Sequence, residues 1–113
     1  MSKSKYHNKE TYVGEIKFQS IKEAKYFCHL RTLEERGEIK DLRLQVPYEI
    51  IPAVGKQRPT YYIADFVYTD VETGEELVVD VKSSATRKKE SYRLKKKMML
   101  AFNGIALTEV VLD

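Results

Sequence analysis

Between Tyr62 and Ser84 the chain reads YIADFVYTDVETGEELVVDVKSS. Asp65, Asp80 and Lys82 interrupt two runs rich in Tyr, Phe, Ile and Val. The runs read as strands, and DVETGE between them carries the residues of a tight turn. Side chains alternate along a strand, so Asp80 and Lys82 share one face while Leu77, Val79 and Val81 take the other. A tight antiparallel hairpin centred near Thr73 sets Asp65 opposite Asp80 or Lys82. With an odd register sum all three side chains lie on one face, within ~5 Å at the Cβ level. An even sum without a bulge separates them.

Two carboxylates that close repel, and burying them unpaired costs several kcal/mol. One lysine neutralises one of them. A divalent cation neutralises both, and carboxylate oxygens suit Mg2+ or Mn2+. The plainer alternative is a surface Asp–Lys pair on a solvated sheet face, which contributes little.

Glu23 is a third acid, bordering an apolar helical stripe. Two readings stand. In the first, Ser20-x-x-Glu23 is a capping box and Glu23 reaches back to the Ser20 amide. In the second, its carboxylate joins the acidic pair. Seven basic residues, Arg87, Lys88, Lys89, Arg93, Lys95, Lys96 and Lys97, follow the Asp80-x-Lys82 strand with only Glu90 to oppose them. They form either a solvated helix face or a surface for a polyanion, whose phosphates relieve the self-repulsion.

The elements that must position these groups follow from periodicity and caps. TYVGEIKFQS is a short extended piece. Ser20 as N-cap and Gly37 past the C-terminus bound a helix over about 21–36, with Ala24, Phe27, Cys28, Leu30 and Leu33 among its apolar positions. A strand runs over about 42–51, and Pro47 makes it an edge strand or a bulged one. AVGKQRPT is a polar loop holding Lys56 and Arg58. A second helix spans TRKKESYRLKKKMMLAFNG, capped by Thr86 and ended by Gly104, with a stripe of Leu94, Met98, Ala101 and Phe102. IALTEVVLD is a last strand. The order strand, helix, strand, hairpin, helix, strand predicts an α/β (α+β) domain with a mixed central sheet flanked by two helices. Residues 10–113 form that single domain, behind a flexible basic arm over 1–9.

Composition excludes several classes. The chain has 113 residues, 42% apolar and 33% charged, with a net charge of +3. No apolar run reaches the ~20 residues of a membrane helix, and no secretory leader is expected. Cys28 is the only cysteine, so no cysteine zinc cluster or intrachain disulfide is available, and a reducing cytoplasm fits. Neither histidine, His7 or His29, sits in a nucleophilic or metal-binding pattern. Nothing indicates a small-molecule organic cofactor.

A helix carrying Glu23, then Asp65, then Asp80-x-Lys82, then a basic helix resembles the PD-(D/E)XK nuclease superfamily. The words GEIKFQSIKEA, LQVPYEI, YIADFVY and VVDVKSSATR with SYRLKKKMM resemble a family of small, functionally uncharacterised phage-encoded proteins within it. Ala64 stands where the superfamily's name has proline. The resemblance implies a restriction-endonuclease-like fold, with Asp65, Asp80 and the Val81 carbonyl as ligands of Mg2+ or Mn2+. It implies Lys82 as catalytic lysine and Glu23 as a carboxylate holding the metal or water. Gln45 would also lie at this site, as glutamines do in some relatives, and the basic helix, following directly on the Asp80-x-Lys82 strand, would turn Tyr92 and Lys95 toward it.

The expected activity is metal-dependent endonucleolytic hydrolysis of DNA phosphodiesters in a bacterial cytoplasm, encoded by a phage or prophage. Branched recombination DNA and a homodimer follow by family analogy. Arg87, Lys88, Lys89, Arg93, Lys95, Lys96, Lys97, Lys56 and Arg58 would grip the DNA. Two other classes compete: an inactive DNA-binding module, and a structural or regulatory protein that meets a protein partner.

Overall fold

A computed structural model describes residues 9–113. The basic arm, apart from Lys9, and His7 lie outside the described residues. Among the described residues no helix is long and apolar enough to cross a membrane.

The described residues begin with a hairpin rather than one extended piece. Strands β1 (Thr11–Val13) and β2 (Ile16–Phe18) pair antiparallel. Gly14, at φ +62°, makes the turn that separates them, a conformation that glycine adopts without steric cost. Helix α1 (Ile21–Glu35) follows, with the Ser20 hydroxyl accepting the Glu23 N–H at its start. Ala24, Phe27 and Leu30 form its buried stripe, whereas Cys28 is exposed.

Strands β3 (Ile39–Ile51), β4 (Thr60–Asp70), β5 (Glu76–Lys82) and β6 (Thr108–Val111) form one sheet in that order. The first two junctions are antiparallel and the β5–β6 junction is parallel, so the sheet is mixed. β3 starts at Ile39, earlier than alternation alone indicates, and it is an edge strand, one of the two alternatives that Pro47 leaves open. The fold is α/β (α+β), with a mixed four-stranded sheet and a helix against each face.

The basic segment is not one helix. Ser83, not Thr86, caps a single turn, α2 (Ser84–Arg87). Lys88 and Lys89 form the link to α3 (Glu90–Asn103), and Gly104 closes α3 at φ +68°. The buried residues of α3 are Tyr92 and Met99, with Met98 partly covered, while Leu94, Ala101 and Phe102 face outward. The anticipated stripe is therefore corrected. The helix turns the Tyr92 side inward, where the Tyr92 hydroxyl donates to Glu109 of β6 at 2.8 Å.

Two cores result. On one face Phe18, Ala24, Phe27, Leu30, Ile39, Phe66, Tyr68, Val79 and Val81 pack together. On the other, Ile50, Tyr62, Ala64, Val67, Val78, Tyr92, Met99 and Leu107 do so. Membership does not follow simple alternation. Leu44 and Phe66 side with the first core, whereas Val46 and Ala64, each two residues away, side with the second. Both strands thus change face at Gln45 and Asp65, which the flanking pairs Leu44↔Phe66 and Val46↔Ala64 set opposite each other. Gln45 has φ +51°. That conformation is uncommon for a residue with a side chain, and such outliers concentrate at functional positions.

Candidate active site

The hairpin register is Phe66↔Val79, Val67↔Val78, Tyr68↔Leu77 and Thr69↔Glu76. The register sum is odd, and continuing it one step sets Asp65 across from Asp80. Val78 belongs to the α3-side core and Val79 and Val81 to the α1-side core. By alternation Asp80 and Lys82 therefore point toward α3.

Asp65 lies where β4 changes face. The regular β4–β5 pairs end at Phe66↔Val79. Just beyond them, Oδ2 of Asp65 accepts the Val81 N–H at 2.8 Å. The side chain thus replaces a backbone partner and holds the two strands together at the point where β4 diverges.

Asp80 is 1% exposed and Asp65 9%. The Tyr62 hydroxyl donates to Oδ2 of Asp80, and Lys82 Nζ stands 3.4 Å from the same oxygen. Oδ1 of Asp80 is buried and has no hydrogen-bond partner among the described residues. Buried polar atoms are nearly always satisfied, so this orphan points to a missing cation or donor. Burial, and then the charge of Asp65, push Asp80 up to about 7. Asp65 is raised too, by burial first and by the nearby Glu23, while its contact with the Asp80 carboxyl, the Val81 N–H and Lys82 act the other way. The two acids form one coupled system whose first proton is held toward neutrality by burial and by their mutual repulsion.

Glu23 turns toward this pair. Ser20 supplies half of the capping box. The reciprocal bond from the Ser20 amide to Glu23 is not among the hydrogen bonds of the described residues; the Glu23 carboxylate instead meets the Ser20 hydroxyl at 3.4 Å and Gln45 Nε2 at 3.5 Å. Burial raises its pKa, opposed by contacts with Asp65 and Ser20 and by the Lys82 charge. Glu23, Asp65, Asp80, Lys82 and Gln45 therefore come from four elements into one neighbourhood.

Among the described residues no three His, Cys, Asp or Glu side chains stand grouped to ligate one ion. The donor set fits a divalent cation on other grounds. It sets two buried carboxylates, Asp65 and Asp80, beside each other, and it includes a buried carboxylate oxygen that nothing among the described residues satisfies. Oxygen-rich sets of this kind suit Mg2+ or Mn2+.

Tyr62 is a site residue that strand alternation misses. A regular β4 places it on the face opposite Asp65. The change of face at Asp65 brings it to Asp80 instead. Tyr92 lies under Lys82, whose Nζ is 5.1 Å from the ring centroid. Burial, and then its bond to Glu109, raise the Tyr92 pKa. Glu109 was not anticipated either. Its carboxylate, 11% exposed, receives Tyr92, Arg87 at 3.3 Å and Lys96 at 3.1 Å.

Two of the seven cations, Arg87 and Lys96, are thus tied to Glu109. Lys88, Lys89, Arg93, Lys95 and Lys97 are exposed. Lys95 and Lys89 line a cavity shared with Lys82 and Tyr92. Lys56 and Arg58 are exposed in the loop before β4. No hydrogen bond or ion pair among the described residues ties them to the site.

A family model described as "Protein of unknown function (DUF1064)" matches residues 3–112. The chain belongs to that family. No curated protein and no solved structure matches it.

Proposed function

We propose that this member of the family is a metal-dependent DNA endonuclease of the PD-(D/E)XK kind, with a restriction-endonuclease-like fold. The observation that carries the reading is the unsatisfied, fully buried Oδ1 of Asp80, set beside Asp65 and Lys82 under a basic helix. A solvated surface Asp–Lys pair leaves no such orphan, and once Asp80 ionises its buried charge is costly unless a cation meets it.

Asp65, Asp80, the Val81 carbonyl and Glu23 would hold Mg2+ or Mn2+. When bound, such an ion acidifies water and offsets charge on the phosphoryl oxygens. The remaining chemistry belongs to the chain. Hydrolysis adds water to phosphorus and breaks one P–O bond, so the transition state gathers negative charge. Lys82, 3.4 Å from Asp80 Oδ2, is placed to orient the attacking water or to neutralise that charge. Tyr62 fixes the Asp80 carboxylate through its hydroxyl, and Tyr92 supports the Lys82 ammonium from below. Exposed Lys88, Lys89, Arg93, Lys95 and Lys97 bind backbone phosphates with an affinity that falls steeply with salt. Branched DNA as substrate and a homodimer that cuts two strands symmetrically extend this reading by analogy.

The test is a cleavage assay in Mg2+ and in Mn2+ on linear, flapped and four-way DNA. Wild type should cut, while Asp80→Asn and Lys82→Ala should not. Asp80→Asn should keep its DNA affinity in EDTA. Undiminished cutting by Asp80→Asn would overturn the assignment.

A further inference from the structure

β4 is longer than its partnership with β5. Their regular pairs stop at Phe66↔Val79, and β5 ends at Lys82, after which the chain turns into α2. The stretch of β4 before Asp65 therefore pairs with β3 on one side and has no β5 neighbour on the other. Beside this stretch, between β4 and the start of α3, lies a cavity of about 330 Å3 that reaches Lys82.

The lining has two characters. Tyr61 and Ile63, 46% and 53% exposed, contribute an aromatic and an aliphatic side chain to it. Lys82, Lys89 and Lys95 contribute three ammonium groups, and no carboxylate lines it. An aromatic wall next to cations is the pairing that unstacked nucleotides select: the base lies against the ring and the phosphate meets the ammonium groups. The volume sits at the lower end of the ~300–1,000 Å3 common for small-ligand sites. A base within a duplex cannot use this wall, because its faces are stacked and its edge is paired. It must first leave the helix.

We propose that this cavity receives one unpaired nucleotide, its base against Tyr61 and its phosphate toward Lys89 and Lys95. The inference rests on the nuclease reading and deepens it. The substrate is DNA with a frayed, flapped or otherwise unpaired nucleotide beside the scissile phosphate, rather than continuous duplex. Because every base has a π face, the selection is by pairing state and not by sequence.

The probe is a 2-aminopurine nucleotide placed at the unpaired position of a flapped duplex, compared with the same fluorophore inside an intact duplex. Binding is followed in EDTA with the full chain, and cleavage is followed separately in Mg2+. Wild type should quench the unpaired fluorophore and bind flapped DNA at least about tenfold more tightly than intact duplex, the scale of one base-stacking contact. Tyr61→Ala should lose the quenching and most of that preference while keeping its affinity for intact duplex. Tyr61→Phe should retain both, because the aromatic face and not the hydroxyl makes the contact. Circular dichroism on both variants reports whether they fold, and Lys95→Ala gives a second reading by weakening capture of the unpaired nucleotide. Equal affinity of wild type for flapped and intact DNA, or full quenching by Tyr61→Ala, would overturn the proposal. Quenching without metal-dependent cleavage on any DNA would uphold the cavity and defeat the nuclease reading. Cleavage with no preference for unpaired DNA would do the reverse.

Discussion

The carboxylate of Asp65 accepts the backbone N–H of Val81 at 2.8 Å, one step past the last regular pair of the β4–β5 ladder. One oxygen thereby serves the fold, while the charge of the same group serves the site. The two roles separate by mutation. Asp65→Asn keeps an acceptor for Val81 and should unfold in urea within about 1 kcal/mol of wild type, the net worth of an ordinary hydrogen bond. Asp65→Ala orphans a buried N–H and should cost ~1–3 kcal/mol. Both should lose the Mg2+ signal in calorimetry, because both remove the charge.

Asp80 gives the site a pH signature. Its folded-state pKa, near 7, exceeds the ordinary value of 3.8. The folded protein therefore favours the protonated acid. That contribution is complete below about pH 4 and is lost as pH rises through about 7. Measured against Asp80→Asn, metal-free wild type should lose stability steadily across that window. Mg2+ competes with the proton, so the rise in Tm that it produces should grow over the same range. A metal-induced Tm shift independent of pH would contradict the placement of Asp80.

Tyr62 holds the ionised form of Asp80, since a donor to a carboxylate favours its charge. Tyr62→Phe removes that donor and keeps the ring in the core. The acid limb of the pH–rate profile should move to higher pH. Stability should fall by about 1 kcal/mol, the scale of one lost hydrogen bond. An unmoved limb would place Tyr62 outside the site's electrostatics.

Glu109 restrains the basic surface by engaging Arg87 and Lys96. Glu109→Gln releases both cations while leaving a polar group for Tyr92. DNA affinity at low salt should rise, and the slope of log affinity against log salt should steepen by about 1–2, one for each newly available phosphate contact. Electrophoretic titrations at several salt concentrations measure that slope.

Local signals carried much of the architecture. Ser20 and Gly37 bound α1, and Gly104 closes α3, because caps depend on a few adjacent residues. The sequence placed Asp65 and Asp80 on adjacent strands of one hairpin but left its register open, and the pairing Phe66↔Val79 is what brings the two acids across from each other. The order of strands and helices was legible too, apart from the β1–β2 hairpin and the break between α2 and α3.

What alternation and amphipathicity could not provide is the set of contacts that depend on distant elements. The change of sheet face at Gln45 and Asp65 breaks the period of two on which facing is argued, and a glutamine does not announce φ +51°. Tyr62 reaches Asp80 only through that break. The inward side of α3 departs from its apolar stripe: Leu94 and Phe102 are more apolar than Tyr92, yet Tyr92 and Met99 are the buried residues and the Tyr92 hydroxyl bonds Glu109. Sequence alone put Asp65, Asp80 and Lys82 on the two strands of one hairpin, because turn residues and apolar runs are local signals. Tertiary structure decided which oxygen stays unsatisfied and which tyrosines enclose it, because those depend on groups brought together across the sheet and from the helix that covers it.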